Sequence, residues 1–254
     1  MTDPSGPRAV PSAPAIHVRD AAIAFGGQTL FTGLDLTAPA GATTCLLGPS
    51  GVGKSSLLRR IAGLLPGDGT VTADDDLPVA GRIAWMGQQD LLLPWASILD
   101  NVMLGTKLRG GRIDAAIRDR AMDLLAAVGL DGWEKQRPDA LSGGMRQRAA
   151  LARTLFEDRP IVLMDEPFSA LDAITRLDMQ DLAARLLSSR TLLMVTHDPM
   201  EALRLGHQVL VLSGTPARLS DPITPPGPTP RAPDLPDLLA LQGQLLSRLR
   251  GGGA

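Results

Sequence analysis

The sequence predicts an α/β fold: a mostly parallel sheet with crossover helices, an antiparallel β flap near the start of the chain, and a helical insert in its middle. Three observations predict it. Short apolar runs alternate with helical patterns through the second half of the 254 residues. One apolar run leads into Gly48-Pro-Ser-Gly-Val-Gly53-Lys54-Ser55 and then into a helical pattern, a strand–loop–helix unit. The first strand candidates stand close together, as hairpin partners do and crossover strands do not.

Taken in chain order, residues 1–15 are rich in Pro, Ser and Ala and read as a disordered leader. They lack the charged start and apolar middle of a secretion signal. The main domain spans 16–220. Its strand candidates are AIHVRDAAIA, LFTGLDLTA, ATTCLLG, GRIAWM, PIVLMDE, TLLMVTH and QVLVLS. Its helix candidates are KSSLLRRIAGLL, IDAAIRDRAMDLLAAVG, GGMRQRAALARTLFE, AITRLDMQDLAARLLSS and PMEALRLG. No strand pattern appears between about 96 and 157, which is the helical insert. Residues 221–233, DPITPPGPTPRAP, read as a Pro-rich linker within a C-terminal segment of 221–254. The amphipathic stretch after it reads as a short helix, either docked on the domain or kept for a partner.

Composition narrows the function. The net charge of −2 leaves no bulk basic footprint, so nucleic acid is not an expected partner. The single cysteine, Cys45, excludes an internal disulfide framework and reads as a small buried apolar residue. No apolar run reaches the roughly 18 residues of a membrane span, which points to a cytoplasmic chain whose membrane contacts come through partners.

The loop carries the strongest chemical signal. It fits G-x-x-x-x-G-K-[ST], in which glycines let backbone N–H groups turn toward phosphate and the following helix adds its dipole. Gly48, Pro49, Ser50, Gly51, Val52, Gly53, Lys54, Ser55 and Ser56 form the expected nucleotide-binding segment. Lys54 would meet the β- and γ-phosphates, and the Ser55 hydroxyl would ligate Mg²⁺. In IVLMDE four apolar residues end in two carboxylates. Asp165 would hold Mg²⁺, directly or through water, and Glu166 would orient or deprotonate the attacking water. Read alone, such a pair is a loop's acidic start; the phosphate loop gives it a task. Ser142-Gly143-Gly144 before a helix is a second ready-made anion site, or a plain serine N-cap with flexible glycines. One nucleotide does not need two such sites on one chain, whereas a head-to-tail dimer does.

LSGGMRQR, the phosphate loop and IVLMDEPFSALD together resemble the ATP-binding cassette of ABC transporters, over about residues 16–215. The resemblance implies a P-loop NTPase with a RecA-like sheet, ATP and Mg²⁺ as ligands, and ATP hydrolysis. Phe25 matches the aromatic that stacks on adenine, although a core phenylalanine is the other reading. Gln88, six residues before Pro94, matches the glutamine that senses the γ-phosphate and Mg²⁺; Gln89 is its adjacent rival. Ser169, Ala170, Leu171 and Asp172 match the loop that crosses the dimer interface, and His197 matches the histidine on the γ-phosphate. His17 and His207 receive no role.

The implied partners are a second copy in a head-to-tail ATP sandwich, integral membrane permease subunits and, indirectly, a solute-binding protein. The implied place is the inner face of the cell membrane. Residues 91–95, LLLPW, would line a groove for a permease helix, or Pro94 and Trp95 pack internally. The Q-x-D-L-L-L-P-W-x-x-x-L-D-N-V stretch resembles importers of nitrate, sulfonates, taurine and thiamine-precursor pyrimidines, with a lean toward the pyrimidine branch. The alternatives are an ATPase of a non-importing membrane complex and a soluble, non-transporting ABC ATPase.

Overall fold

The computed structural model describes residues 13–251, and of Phe25 and Arg250 only the backbone. Two sheets form the frame. A three-stranded antiparallel sheet has the order β2-β1-β4, with β1 at Ile16–Phe25, β2 at Gln28–Ala38 and β4 at Asp68–Ala73. A six-stranded sheet has the order β5-β6-β7-β3-β8-β9. Its members are β3 (Thr43–Leu47), β5 (Ile83–Met86), β6 (Ile161–Asp165), β7 (Thr191–Val195), β8 (Gln208–Gly214) and β9 (Ala217–Leu219). All its neighbours pair in parallel except β8 and β9, which form an antiparallel edge.

Alternation along the parallel strands sorts side chains into two cores. Cys45, Leu47, Val162, Met164, Leu192, Met194, Val209 and Val211 face one layer. Leu46, Ile161, Leu163, Leu193, Val195, Leu210 and Leu212 face the other. Because both faces are covered, β6 and β7 are buried at every position and read as unbroken apolar runs. The second layer is closed by the antiparallel flap and by α1 (Lys54–Ile61). The first is closed by helices, including α6 (Ala173–Leu186), α7 (Pro199–Leu205) and the insert.

Between β5 and β6 the insert comprises α2 (Ile98–Val102), α3 (Leu104–Leu108), α4 (Ala115–Ala127) and α5 (Gly143–Phe156). Side chains start three of these: Ser97 caps α2, Asp114 caps α4 and Ser142 caps α5. Buried Asn101 accepts from the Leu93 N–H (2.7 Å) and donates to the carbonyls of Leu93, Ala96 and Ser97, fixing the loop that precedes α2.

Two boundary readings need correction. Residues 1–12 of the expected leader lie outside the described residues, but 13–15 belong to the fold. Ala13 and Ala15 are buried, the Thr191 hydroxyl donates to the Pro14 carbonyl (2.7 Å), and the Ala15 N–H donates to Asp74 (2.9 Å). The stretch 221–233 is not a free linker either. Ile223 exchanges two 2.8 Å backbone hydrogen bonds with Val209 of β8, and Arg231 is buried. The helix after it, α8 (Pro236–Gly251), buries Leu238 and Leu245 in the first core.

His207, just before β8, gives the fold a pH dependence. Its Nδ1 accepts from the Thr43 N–H (2.9 Å), which requires the neutral ring. Burial first, and then the Arg231 guanidinium, hold its pKa below the ordinary 6.5. A base with a depressed native pKa stabilises the fold above about 6.5 and loses that contribution as pH falls through the native value. Thermal unfolding at pH 7.5 and 5.5 checks this: the stability gap between wild type and His207→Gln narrows at the lower pH.

Candidate active site

Parallel pairing brings three chain exits to one sheet edge. Leu46 pairs with Val195, and Val195 pairs with Asp165, so the residues after β3, β6 and β7 emerge side by side. Backbone bonds continue the alignment past the strands: Glu166 N–H donates to the Val195 carbonyl (2.9 Å) and Thr196 N–H to the Leu46 carbonyl (3.1 Å). This carboxyl-terminal edge is where open α/β sheets hold ligands.

The segment 48–56 follows β3 and turns into α1. Gly53 is the helix N-cap at φ 109°, a conformation that costs glycine little, and a Cβ there would lie 3.2 Å from the buried Phe31 ring. Pro49, Ser50 and Gly51 are exposed, Gly48 is buried, and Val52, Ser55 and Ser56 are half-buried. Lys54 is 5% exposed, and its ammonium donates to the carbonyls of Gly48 (2.8 Å) and Pro49 (2.9 Å). Burial lowers its pKa, while Glu166 and Asp165 push it back up. The cation is therefore held by its own loop, with two carboxylates close enough to act on it.

Ser55 Oγ donates to Asp165 Oδ1 at 2.8 Å, which brings the first residues of α1 against the end of β6. The next residue, Glu166, adopts φ 48°, left-handed backbone that is uncommon outside glycine, asparagine and aspartate. It turns its carboxylate to the other side groups. His197 Nδ1 lies 3.0 Å from Glu166 Oε2, and a carboxylate only accepts, so the contact puts the ring proton on Nδ1. Gln88 Nε2 reaches the same Oε2 at 3.5 Å and Ser169 Oγ at 3.4 Å. Ser169 Oγ in turn donates to the Glu166 carbonyl (3.0 Å). It is thus Gln88 whose amide reaches Glu166, while Gln88 and Gln89 both line a neighbouring cavity.

Ser142, Gly143 and Gly144 form the start of α5. Ser142 Oγ accepts from the Met145 N–H at 3.3 Å, and the first N–H groups of the helix have no intrahelical partner. Among the described residues no hydrogen bond joins this segment to the 48–56 loop. Gly143 lines a cavity of about 570 Å³ with Gln88, Asp90, Arg146, Ala170 and Leu171. Asp172 N-caps α6 through the Thr175 N–H (3.1 Å), and that hydrogen bond holds its carboxyl below the usual range. Phe25 ends β1 opposite Gln28; its side chain lies outside the described residues.

Sequence reasoning missed several supports. A Cβ on Gly144 would sit 2.7 Å from the Thr175 methyl, so the second glycine permits close packing of α5 on α6. Arg153 donates to the carbonyls of Asp90 and Leu91, while Asp90 takes the Arg146 Nε (3.1 Å), tying the loop after Gln88 to α5. An arginine on the same helix as LSGG was a visible signal, but its partners lie about 60 residues away in sequence.

Comparison with known proteins places this geometry. The family model described as ABC transporter matches residues 31–169. An uncharacterized ABC transporter ATP-binding protein of Haemophilus influenzae is 45% identical over 239 residues, covering 93% of this chain and 99% of that protein. An aliphatic sulfonates import ATP-binding protein, SsuB 1 of Rhodococcus jostii, is 48% identical over 192 residues, covering 74% of this chain and 75% of that protein. SsuB 2 of Burkholderia cenocepacia is 43% identical, covering 92% and 86%. Among solved structures, the ATP-binding cassette MJ0796, dimeric in a post-hydrolysis state with ADP and Pi, superposes with TM-score 0.71 at 27% identity, covering 84% of this chain and 99% of that one.

Two substitutions test the site. If Lys54 makes a charge-assisted phosphate contact, Lys54→Ala weakens ATP binding about tenfold or more, read by calorimetric titration. Glu166→Gln keeps ATP binding and lowers turnover by about 10²–10⁴-fold, the range for a lost general base; turnover at the wild-type rate removes Glu166 from the chemistry.

Proposed function

This chain belongs to the ABC transporter family, as an ATP-binding ATPase, and from that premise we propose that it powers import of a small organic anion of the aliphatic sulfonate class. The observation that carries the ATP-driven part of the proposal is the division of the site. Lys54, Ser55, Asp165, Glu166, Gln88 and His197 gather at one sheet edge, while the second anion-ready helix start, at Ser142, makes no bond to that loop. Two copies arranged head to tail bring the Ser142 segment of each onto the nucleotide of the other.

In this reading, backbone N–H groups of 48–56 and the Lys54 ammonium hold the ATP phosphates, with Lys54 leaving its own carbonyls to do so. Phe25 stacks on adenine. Glu166 takes a proton from the attacking water, His197 contacts the γ-phosphate by turning its ring N–H from Glu166 to a phosphate oxygen, and Gln88 registers whether that phosphate is present. Asp172 and the loop from Ser169 meet the partner copy. Ser55, Asp165 and Gln88 would hold Mg²⁺. The fit is chemical: a hydroxyl and a carboxylate 2.8 Å apart are oxygen donors of the kind this cation takes, in the small number it needs besides phosphates and water. Mg²⁺ supplies charge neutralisation on the β- and γ-phosphates.

A groove of about 300 Å³ supports docking to a membrane permease. Trp85, Leu91, Leu104 and Leu108 line it, with Arg153 and Glu157 at its polar side. Leu91 and Leu108 are 62% and 78% exposed, and nearby Trp95 is 70% exposed, too open for internal packing. Of the expected LLLPW lining, Leu91 is in the groove and Leu92 is turned into the core. No helix among the described residues is long and apolar enough to cross a membrane. The cytoplasmic, peripheral place follows from the proposed docking to a permease. The sulfonate class rests on relatives whose names carry it at 43–48% identity; the pyrimidine lean has no comparable support.

Capture of the tagged chain from gently solubilised native membranes tests this reading. A polytopic permease and a solute-binding protein that takes alkanesulfonates are the expected catch. A set of soluble partners would retire transport, and a binding protein selective for a pyrimidine or nitrate would retire the sulfonate class.

A further inference from the structure

The C-terminal segment has no part in the site described above, yet it is built onto the helix that follows His197. Helix α7 begins two residues after His197 and has seven residues, too few to be stable alone. Its first turn is capped by Asp198, which accepts from the Met200 and Glu201 N–H groups (2.9 and 3.3 Å). On one side α6 holds it: Gln180 donates to Glu201 (2.9 Å), and Arg204 reaches Gln180 and, at 2.8 Å, Asp181.

On the other side the returning chain holds its end. Arg231 is 4% exposed, and its guanidinium donates to the carbonyls of Leu203 and Gly206, both at 2.8 Å. These belong to the closing turn of α7, where carbonyls lack helical partners and the dipole is negative. The same guanidinium donates to the carbonyls of Pro225 and Pro226, both at 2.7 Å, so one side chain joins the helix end to the strap that crosses it. The backbones also clasp: Arg231 N–H donates to the Arg204 carbonyl (3.0 Å), and Arg204 Nε to the Arg231 carbonyl (2.9 Å). Ile223 on β8 and buried Leu238 and Leu245 of α8 anchor the strap at either side.

We propose that Arg231 is a positioning residue for His197: by fixing the end of α7 it sets where the imidazole stands beside Glu166, and residues 222–251 act as an intrachain strap that keeps the hydrolytic site in register. Substituting Arg231 leaves the phosphate loop untouched, since none of its contacts touches 48–56. The strap thereby acts on hydrolysis and not on ATP affinity. The inference rests on the reading of His197 as the γ-phosphate contact.

The test uses the full-length chain carrying Arg231→Ala, Arg231→Lys, His197→Ala and the double substitution, with steady-state and single-turnover ATP hydrolysis as readouts. Arg231→Ala lowers kcat about tenfold, within the effect of a sub-ångström misplacement, with KM for ATP changed less than about twofold. Arg231→Lys falls between, because an ammonium with three donors cannot serve four carbonyls. In the His197→Ala background Arg231→Ala adds no further loss, the non-additivity of residues acting as one unit. An unchanged kcat in the arginine variants, or the same fold-loss with and without His197, overturns the proposal. If Arg231→Ala does not fold, Arg231→Lys is judged by the same outcomes. Wild-type turnover in His197→Ala would instead retire the underlying reading of that histidine.

Discussion

Parallel pairing of β3, β6 and β7 is the constraint on which the rest of the site depends. Each strand is five residues long and buried but for Thr43 at the start of β3, and the register leaves no freedom about which residue exits first. The loop from Gly48, the carboxylates at 165 and 166, and His197 are distant in sequence but must emerge at one edge. A slip of one residue in β6 would turn Asp165 and Glu166 to opposite faces and exchange Met164 with Leu163 between the two cores. Core packing and site geometry are therefore the same requirement.

At that edge the polar groups engage one another. Lys54 is held by its own loop, Ser55 by Asp165, and Glu166 by His197 and Gln88. In the proposed function a phosphate or water would take over the hydrogen bonds of Lys54 and Glu166, and Mg²⁺ would take Ser55 and Asp165 as oxygen ligands, so binding would leave no buried charge stranded. The left-handed backbone at Glu166 aims two adjacent carboxylates at different partners, Asp165 at Ser55 and Glu166 at His197. Two further layers hold this arrangement: Arg153 and Arg146 on the loop after Gln88, and Arg231 on the helix after His197.

Much of this was legible in the residues. Unbroken apolar runs such as IVLMD and TLLMV, short and bounded by loop signals, read as doubly covered strands, and the glycine loop between a strand and a helix has few other uses. What escaped was short or depended on distant partners. DGTVTA forms β4 despite its aspartate and glycine, because β1 supplies a pairing edge. Helices α2 and α3 have five residues each, below the length at which periodicity speaks, and β9 has three. Proline density at 221–233 suggested a linker, but a buried arginine that satisfies four carbonyls outweighs that composition. The Glu166–His197 contact was foreseeable only through the resemblance, since nothing local links the ends of β6 and β7.

The central claim is that one chain carries two unlike halves of an ATP site and completes neither alone. Light scattering of the Glu166→Gln chain, with and without saturating ATP and Mg²⁺, measures this directly. The account predicts about twice the 26.7 kDa chain mass with ATP and the single-chain mass without it. A nucleotide-saturated chain that remains at the single-chain mass would contradict it.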